Sequence, residues 1–403
     1  MRCIKTFVPN IRIVLVFLIL IFMILVPLLS CRSRPADSGK MHPQPLHSAD
    51  SGKLHQPLHA GWFGLYFTID NPKIQLTSIY FCDNNNGFAT ESNGNILKTT
   101  DGGIHWVDIS PEKSIIGDWM PQSIQFPVDA QTGYVVGEGY NISDPGGILK
   151  TTDSGAHWQY QPVKRGEQDS EGKWKYQVVP YQRLQYVHFP LNTKTGYAVG
   201  KDLIFKTTDG GANWLMIGPS SSLGFNSVCF PTNEQTGYVV GNKGLFWKTK
   251  DGFNNVENQI SGTNNDLRSV DFPLNSQTGY VVGFGTILKT TDGGDSWVNQ
   301  WTNDQPSFYS VNFPKGDQTG YVVGTNSTIL KTTNGGAQWV VQDWYSHPVG
   351  LPKEFTDNTN ISEIFTGLSV TFPVDPQTGY VLMYSGGQEM ILKTTTGGEP
   401  GQR

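Results

Sequence analysis

Ser269-Val-Asp-Phe-Pro-Leu-Asn-Ser-Gln-Thr-Gly-Tyr-Val-Val-Gly-Phe-Gly-Thr-Ile-Leu-Lys-Thr-Thr-Asp-Gly-Gly-Asp-Ser-Trp297 contains four short β-prone runs separated by turn residues. The runs are Ser-Val-x-Phe, Gly-Tyr-Val-Val-Gly, Ile-Leu-Lys-Thr and a fourth led by the tryptophan. The unit returns along the chain. Its Thr-Gly-Tyr has the glycine at positions 133, 196, 237, 279, 320 and 379, and a diverged Asn86-Gly87-Phe88 opens the series. Each unit reads as a four-stranded antiparallel sheet. One such sheet cannot bury both its faces, and seven arranged radially make a β-propeller. Residues 61–403 divided among seven give about 49 per blade, within the range for this architecture.

The last repeat runs through Ile391-Leu-Lys-Thr-Thr-Thr-Gly-Gly and ends without a tryptophan-led fourth strand, while Trp62-Phe-Gly-Leu-Tyr-Phe-Thr68 stands unassigned ahead of the first repeat. The expectation is an all-β, seven-bladed β-propeller whose last blade is closed by this N-terminal strand, so that no open edge remains at the seam. Composition agrees. A chain of 403 residues with 46 Gly, 12% aromatic and only 16% charged residues argues against a helical bundle, a coiled coil or a disordered chain. A net charge of −5 offers no basic surface, so nucleic acid is not an expected partner.

Residues 1–30 read as a targeting segment: Arg2, Lys5 and Arg12 precede an apolar run over Ile13–Leu29, and Leu28-Leu29-Ser30-Cys31 follows. This resembles a bacterial lipobox, which implies lipidation of Cys31 and cleavage ahead of it. An uncleaved anchor is the alternative, and both place the body outside the cytoplasm, on the periplasmic side or the cell surface. Removing residues 1–30 takes away three positive charges and no acid, so −5 becomes −8. Residues 31–60 read as a flexible tether. Its two near copies of Asp-Ser-Gly-Lys carry His42, His47, His55 and His59, which read as a duplicated spacer rather than a metal site. Cys82 and Cys229 occupy non-equivalent repeat positions and read as packing residues, not a disulfide pair.

The turn after the third run is Thr-Thr-Asp-Gly-Gly-x-x-Trp, which matches the Asp-box, or bacterial neuraminidase repeat. It stands at Asp101, Asp153, Asp209 and Asp292, and Asp251 is kept in a fourth repeat that has Phe253 and Val256 where Gly and Trp belong. Asn334 and Thr396 replace the acid in the last two repeats. Carboxylates spread around a ring and replaceable by Asn or Thr read as structural. With these strings and the preceding Gly-Tyr-Val-Val-Gly, the chain resembles the photosystem II assembly and stability factor family over about residues 70–398. That resemblance implies a seven-bladed, non-enzymatic extracytoplasmic scaffold that holds a membrane-protein client during assembly, through arginines from successive blades. Here Arg183 and Arg268 occupy the position before an inner strand, with Ser123, Asn226, Tyr309 and Leu368 near that position elsewhere.

Sialidase chemistry needs an arginine triad and an Arg-Ile-Pro start, neither of which is present. Glycosidases need two carboxylates about 5–10 Å apart, and no loop pair stands out. No metal, acyl-transfer or phosphate-loop motif occurs, so neither cofactor nor metal is expected. Asp-box spacings of 52, 56, 42, 41, 42 and 62 locate insertions at residues 110–121, 162–182 and 343–367. These connections are expected on the face opposite the Asp boxes. They carry Trp119, Lys164, Arg165, Trp174, Lys175, Tyr176, Trp344, Tyr345, His347 and Lys353, residue types that dominate interfaces. The expected partner is a membrane-protein client, bound by a monomer held on the membrane by its lipid. The alternative is a glycan stacked on Trp119, Trp174 and Trp344.

Overall fold

The computed structural model describes residues 47–48, 61–66, 75–139, 146–168, 170–171, 173–179, 183–190, 192–301, 305–314, 316, 318–344, 365–385 and 388–399. The targeting segment 1–30, Cys31, most of 31–60, and Tyr345, His347 and Lys353 lie outside the described residues.

Seven sheets, each built on a four-stranded antiparallel blade, follow one another. Blade 1 comprises Leu76–Phe81, Gly87–Glu91, Ile96–Thr99 and His105–Asp108, and blade 2 comprises Trp119–Gln125, Gly133–Gly139, Gly147–Thr151 and Gln159–Gln161. Blade 3 is Leu184–His188, Gly196–Gly200, Ile204–Thr207 and Trp214–Ile217. Blade 4 is Phe225–Cys229, Gly237–Gly241, Phe246–Thr249 and Glu257–Asn258. Blade 5 is Leu267–Asp271, Gly279–Gly283, Thr286–Thr290 and Val298–Asn299, and blade 6 is Phe308–Asn312, Gly320–Gly324, Ile329–Thr332 and Val340–Val341. Blade 7 is Thr366–Thr371, Gly379–Ser385 and Gln388–Gly398, with Gly61–Tyr66 as its fourth strand. The first strands of successive blades, from 1 through 7 and back to 1, lie side by side around a central channel.

The repeated Phe, Gly and Tyr form one device. The phenylalanine that ends each first strand lies flat on the glycine that starts the second strand of its own blade. A Cβ on Gly279 would sit 2.4 Å from the Phe272 ring, so only glycine fits there. The other side of the ring stacks on the aromatic residue of the preceding blade: Phe272 on Tyr238 at 3.9 Å, Phe313 on Tyr280 at 3.8 Å, Phe372 on Tyr321 at 4.0 Å. At the seam Phe81 stacks on Tyr380, so the contact between blades 7 and 1 is the one used elsewhere. The Tyr hydroxyls cross the same interfaces. Tyr238 donates to the Gly293 carbonyl (3.0 Å), and Tyr321 donates to that of Gly397 (3.0 Å). A lysine from the third strand adds a second link, from Lys393 to the Gly102 carbonyl (3.1 Å) at the seam.

The closing strand also supplies the missing tryptophan. Trp62 meets Phe372 edge-on at 6.1 Å, just as Trp106 meets Phe81 at 6.0 Å and Trp297 meets Phe272 at 6.2 Å. In blade 4, Phe253 takes the glycine position at φ 68° and presents its own ring edge to Phe230 at 5.4 Å. A phenylalanine two residues after the acid thus fills the slot left by Val256. Cys82 and Cys229 are free thiols, and burial pushes Cys82 up to about 12.

Two expectations need correction. Residues 162–182 do not form a loop on the face opposite the Asp boxes. Val163–Gln168 and Trp174–Val178 form a hairpin whose first strand runs parallel to the outer strand of blade 3, Val163 pairing with Trp214, which makes a six-stranded sheet. Val163 is fully buried in that blade's core, and this anchors the hairpin along the rim. Of the expected tether, His47–Ser48 pairs antiparallel with His105–Trp106 of blade 1.

Candidate functional site

The Asp-box turns come first because their acids are the most numerous candidates. Thr99 Oγ1 donates to Asp101 Oδ1 (2.9 Å) and accepts the Gly103 N–H (2.9 Å), while Asp101 Oδ1 also accepts the His105 N–H (2.9 Å). The same lattice holds at Asp153, Asp209, Asp251 and Asp292. Asn334 takes the place with its carboxamide oxygen, accepting from Thr332 and from the Gln338 N–H. Hydrogen bonds from His157 and Ser296 hold Asp153 and Asp292 down at about 2. These carboxylates are ionised and committed to their own hairpins. Among the described residues no group of three or more His, Cys, Asp or Glu could hold a metal ion.

The residues expected at the interface separate into three sets. Trp119 and Trp344 are 2% exposed and belong to the core, which removes them from any partner surface. Trp119 lies in the first strand of blade 2 among Phe88, Ile96 and Leu149. Trp344 packs edge-on against Phe365 at 5.8 Å and donates its indole N–H to the Ser327 carbonyl (2.8 Å). Both indoles fold back because a β-blade edge leaves apolar surface that the connecting segment must cover. A glycan reading thereby loses two of its three stacking platforms. The side chain of Trp174 is outside the described residues.

The second set is Arg183 and Arg268, which stay apart. Arg183 pairs with Glu138 of blade 2 at 3.6 Å. Arg268 lies over the Tyr309 ring of blade 6 at 4.2 Å. Blade 4 places Asn226 between them, bonded to Asn242 and to the Leu267 carbonyl, so no continuous arginine patch forms.

The third set does converge. The hairpin and the outer strands of blade 3 enclose a groove of about 370 Å³ lined by Lys164, Tyr176, Lys206, Asp209, Leu215 and Ile217, with Thr208 and Asn213. Lys164 Nζ donates to Asn213 Oδ1 (2.8 Å), which ties the hairpin to the Asp-box turn. Burial lowers Lys206, opposed by Glu234 and Asp251. For Asp209 burial acts upward, but hydrogen bonds from Asn213 and Thr207 outweigh it and the acid ends below its ordinary value. Lys164 thus stands at the rim beside the apolar Leu215 and Ile217, while the Lys206 ammonium lies over the Tyr197 ring of its own blade at 5.3 Å. Beside them, Tyr176 and Val178 are 54% and 57% exposed on the sheet's outermost strand. Arg165 faces Glu167 at 3.4 Å on the same hairpin, and Lys175 is exposed.

The channel holds residues that repeat reading passed over. The residue before each ring phenylalanine varies: Tyr80, Gln125, His188, Cys229, Asp271, Asn312, Thr371. Gln125, Asp271 and Asn312 accept the phenylalanine N–H of the next blade at 2.7, 2.8 and 3.1 Å. Burial raises Asp271 to about 7 against two backbone hydrogen bonds, and lowers His188 to about 4. Variation at one register position amid constant neighbours was the signal available in the sequence.

No protein-family model matches the chain, and no curated relative does. Among solved structures, YCF48 bound to D1 peptide has a TM-score of 0.60 at 16% identity, covering 88% of this chain and 99% of that one. YCF48 from Cyanidioschyzon merolae has a TM-score of 0.59 at 17% identity, covering 83% and 98%. An ancestral GH74 enzyme has a TM-score of 0.48 at 15% identity, covering 66% and 35%. At these identities the likeness to YCF48 is one of fold, and it extends over nearly the whole propeller.

Proposed function

We propose that the chain is a non-enzymatic scaffold, held outside the cytoplasm by lipid on Cys31, that grips an extended segment of a membrane-protein client in the groove of blade 3. The observation that carries this is the hairpin added to the outer strand of blade 3, with Lys164 beside Leu215 and Ile217 in the groove it forms. Such a groove suits a segment that places an apolar side chain next to a carboxylate. YCF48, a photosystem II assembly factor of the same fold, has been solved with a peptide of D1, which supports a client of this kind. The exposed strand Trp174–Val178 adds a backbone edge to which an extended segment can pair.

Cross-linking the tagged protein in its native membranes tests the reading. A membrane protein linked reproducibly through Lys164 or Lys175, and lost when residues 162–182 are replaced by a short connection, supports it. A client retained unchanged by that replacement, while the ring stays folded, rejects the groove.

A further inference from the structure

The sheet of blade 3 ends in the strand Trp174–Val178, two strands beyond the blade's own outer strand Trp214–Ile217. Its pairing fixes which backbone groups it turns outward. Val179 donates its N–H to the Val163 carbonyl at 3.0 Å, and the register runs on through Arg165–Gln177 and Glu167–Lys175. In an antiparallel pair every second position exchanges backbone hydrogen bonds, so Gln177 and Lys175 bond inward to Val163–Gln168. Trp174, Tyr176 and Val178 direct N–H and C=O to the far side of the strand, where residues 175–178 are exposed.

We infer that this edge pairs with the same strand of a second copy of the chain. An antiparallel pairing of a strand with its own copy has a two-fold axis, and here the axis falls at Tyr176. Trp174 of one copy then lies opposite Val178 of the other, each giving and accepting a backbone hydrogen bond. Lys175, the one charged residue of the strand, meets Gln177. Charge and length together select this register. A shift one way sets Lys175 against its own copy, and a shift the other way carries Trp174 beyond the end of the partner strand. The hairpin as a whole, residues 163–178, holds four cations and three acids, so two copies meet there without the repulsion that the net charge of −5 imposes elsewhere. A two-fold pair closes on itself, which makes a dimer rather than a filament. In place of the expected monomer, the second copy holds the edge until an extended client segment displaces it.

Two cysteine variants of the full chain, purified in detergent and oxidised, read the register. Tyr176→Cys puts the two sulfurs beside the axis, with Cα atoms about 5.5 Å apart and inside disulfide range, so a linked dimer forms. Val178→Cys separates them by four residues along the pair, roughly 14 Å, and should give at least tenfold less. The wild type, oxidised in parallel, sets the background from Cys82. Sedimentation equilibrium reads the affinity: Gln177→Glu, opposite Lys175, should tighten the dimer several-fold, and Gln177→Lys should loosen it at least tenfold. Equal cross-linking of the two cysteine variants would mean chance collision and overturn the inference. So would a wild type that stays monomeric up to about 100 μM, where an edge with Kd near 10 μM is mostly paired. A monomer that still captures the client through Lys164 would overturn the dimer alone, and a dimer that captures none would overturn the client reading alone.

Discussion

Replacing Asp271 by asparagine should stabilise the protein at pH 8 and leave it nearly unchanged at pH 4. The carboxylate lies on the channel wall, where it accepts the Phe313 N–H at 2.8 Å and faces Cys229 and Tyr186. Burial raises it to about 7. A carboxyl whose folded value lies above its unfolded value, about 3.9, contributes stability that is complete below the unfolded value and lost as pH rises through the folded one. The difference, at about 1.4 kcal/mol per unit, sets a ceiling of roughly 4 kcal/mol between pH 4 and pH 8. Asp271 is only partly covered, so about half of that, ~2 kcal/mol, is the working expectation. Asparagine keeps the acceptor, as Asn312 shows by taking the Phe372 N–H at the same register. Urea unfolding of wild type and variant at both pH values gives the number. His188, which burial lowers to about 4, titrates in the opposite sense but cancels between the two proteins. A stability difference that is the same at pH 4 and pH 8 would refute the reasoning.

Gly279→Ala should cost roughly 2–4 kcal/mol in urea unfolding, because its Cβ would enter the Phe272 ring and part the stack with Tyr238. Trp62→Ala should cost about 3–5 kcal/mol and lower the cooperativity of unfolding, since that indole fills the slot of blade 7 that the C-terminal repeat leaves empty; an unchanged Tm would deny it that place. Lys164→Glu should weaken client cross-linking at least tenfold while shifting stability by less than about 0.5 kcal/mol, its ammonium being tied to Asn213 at the rim.

What the sequence disclosed and what it hid divide along one physical line. Residues that meet the same neighbour in every blade, such as Gly279, Tyr238 and Phe272, leave a periodic trace, and the ring, its seven units and its closure by Trp62 follow from it. Residues whose neighbours depend on where a long connection travels leave none. Trp119 and Trp344 have the composition of an interface, but apolar indoles beside a blade edge lower the free energy more by covering it. The hairpin of residues 163–178 has a turn signal in Asp169-Ser170-Glu171-Gly172, but its strands are mixed Lys, Arg, Glu, Gln and Tyr with no apolar alternation, so its pairing with Trp214 depended on the buried contact of Val163. Phe253 was visible as a departure, but its function as a substitute for the tryptophan required the positive φ that aims its ring.

Regularity itself explains where binding surfaces can arise in such a ring. Blades 4 to 6 end in fourth strands of only two residues, Glu257–Asn258, Val298–Asn299 and Val340–Val341, which leave little edge for another chain to pair with. Blade 3 departs from this rule: its fourth strand, Trp214–Ile217, is longer and is covered, and the edge passes to Trp174–Val178 with Tyr176 and Val178 turned to solvent. A covering element added merely to protect an edge would end in a short or polar strand. This one ends in a strand whose residues 175–178 are exposed beside the groove, an arrangement that raises the risk of unwanted pairing unless a specific segment takes the place of chance partners. Shortening the hairpin should therefore lower self-association and client capture together, and a variant that loses one without the other would separate edge from groove as the seat of binding.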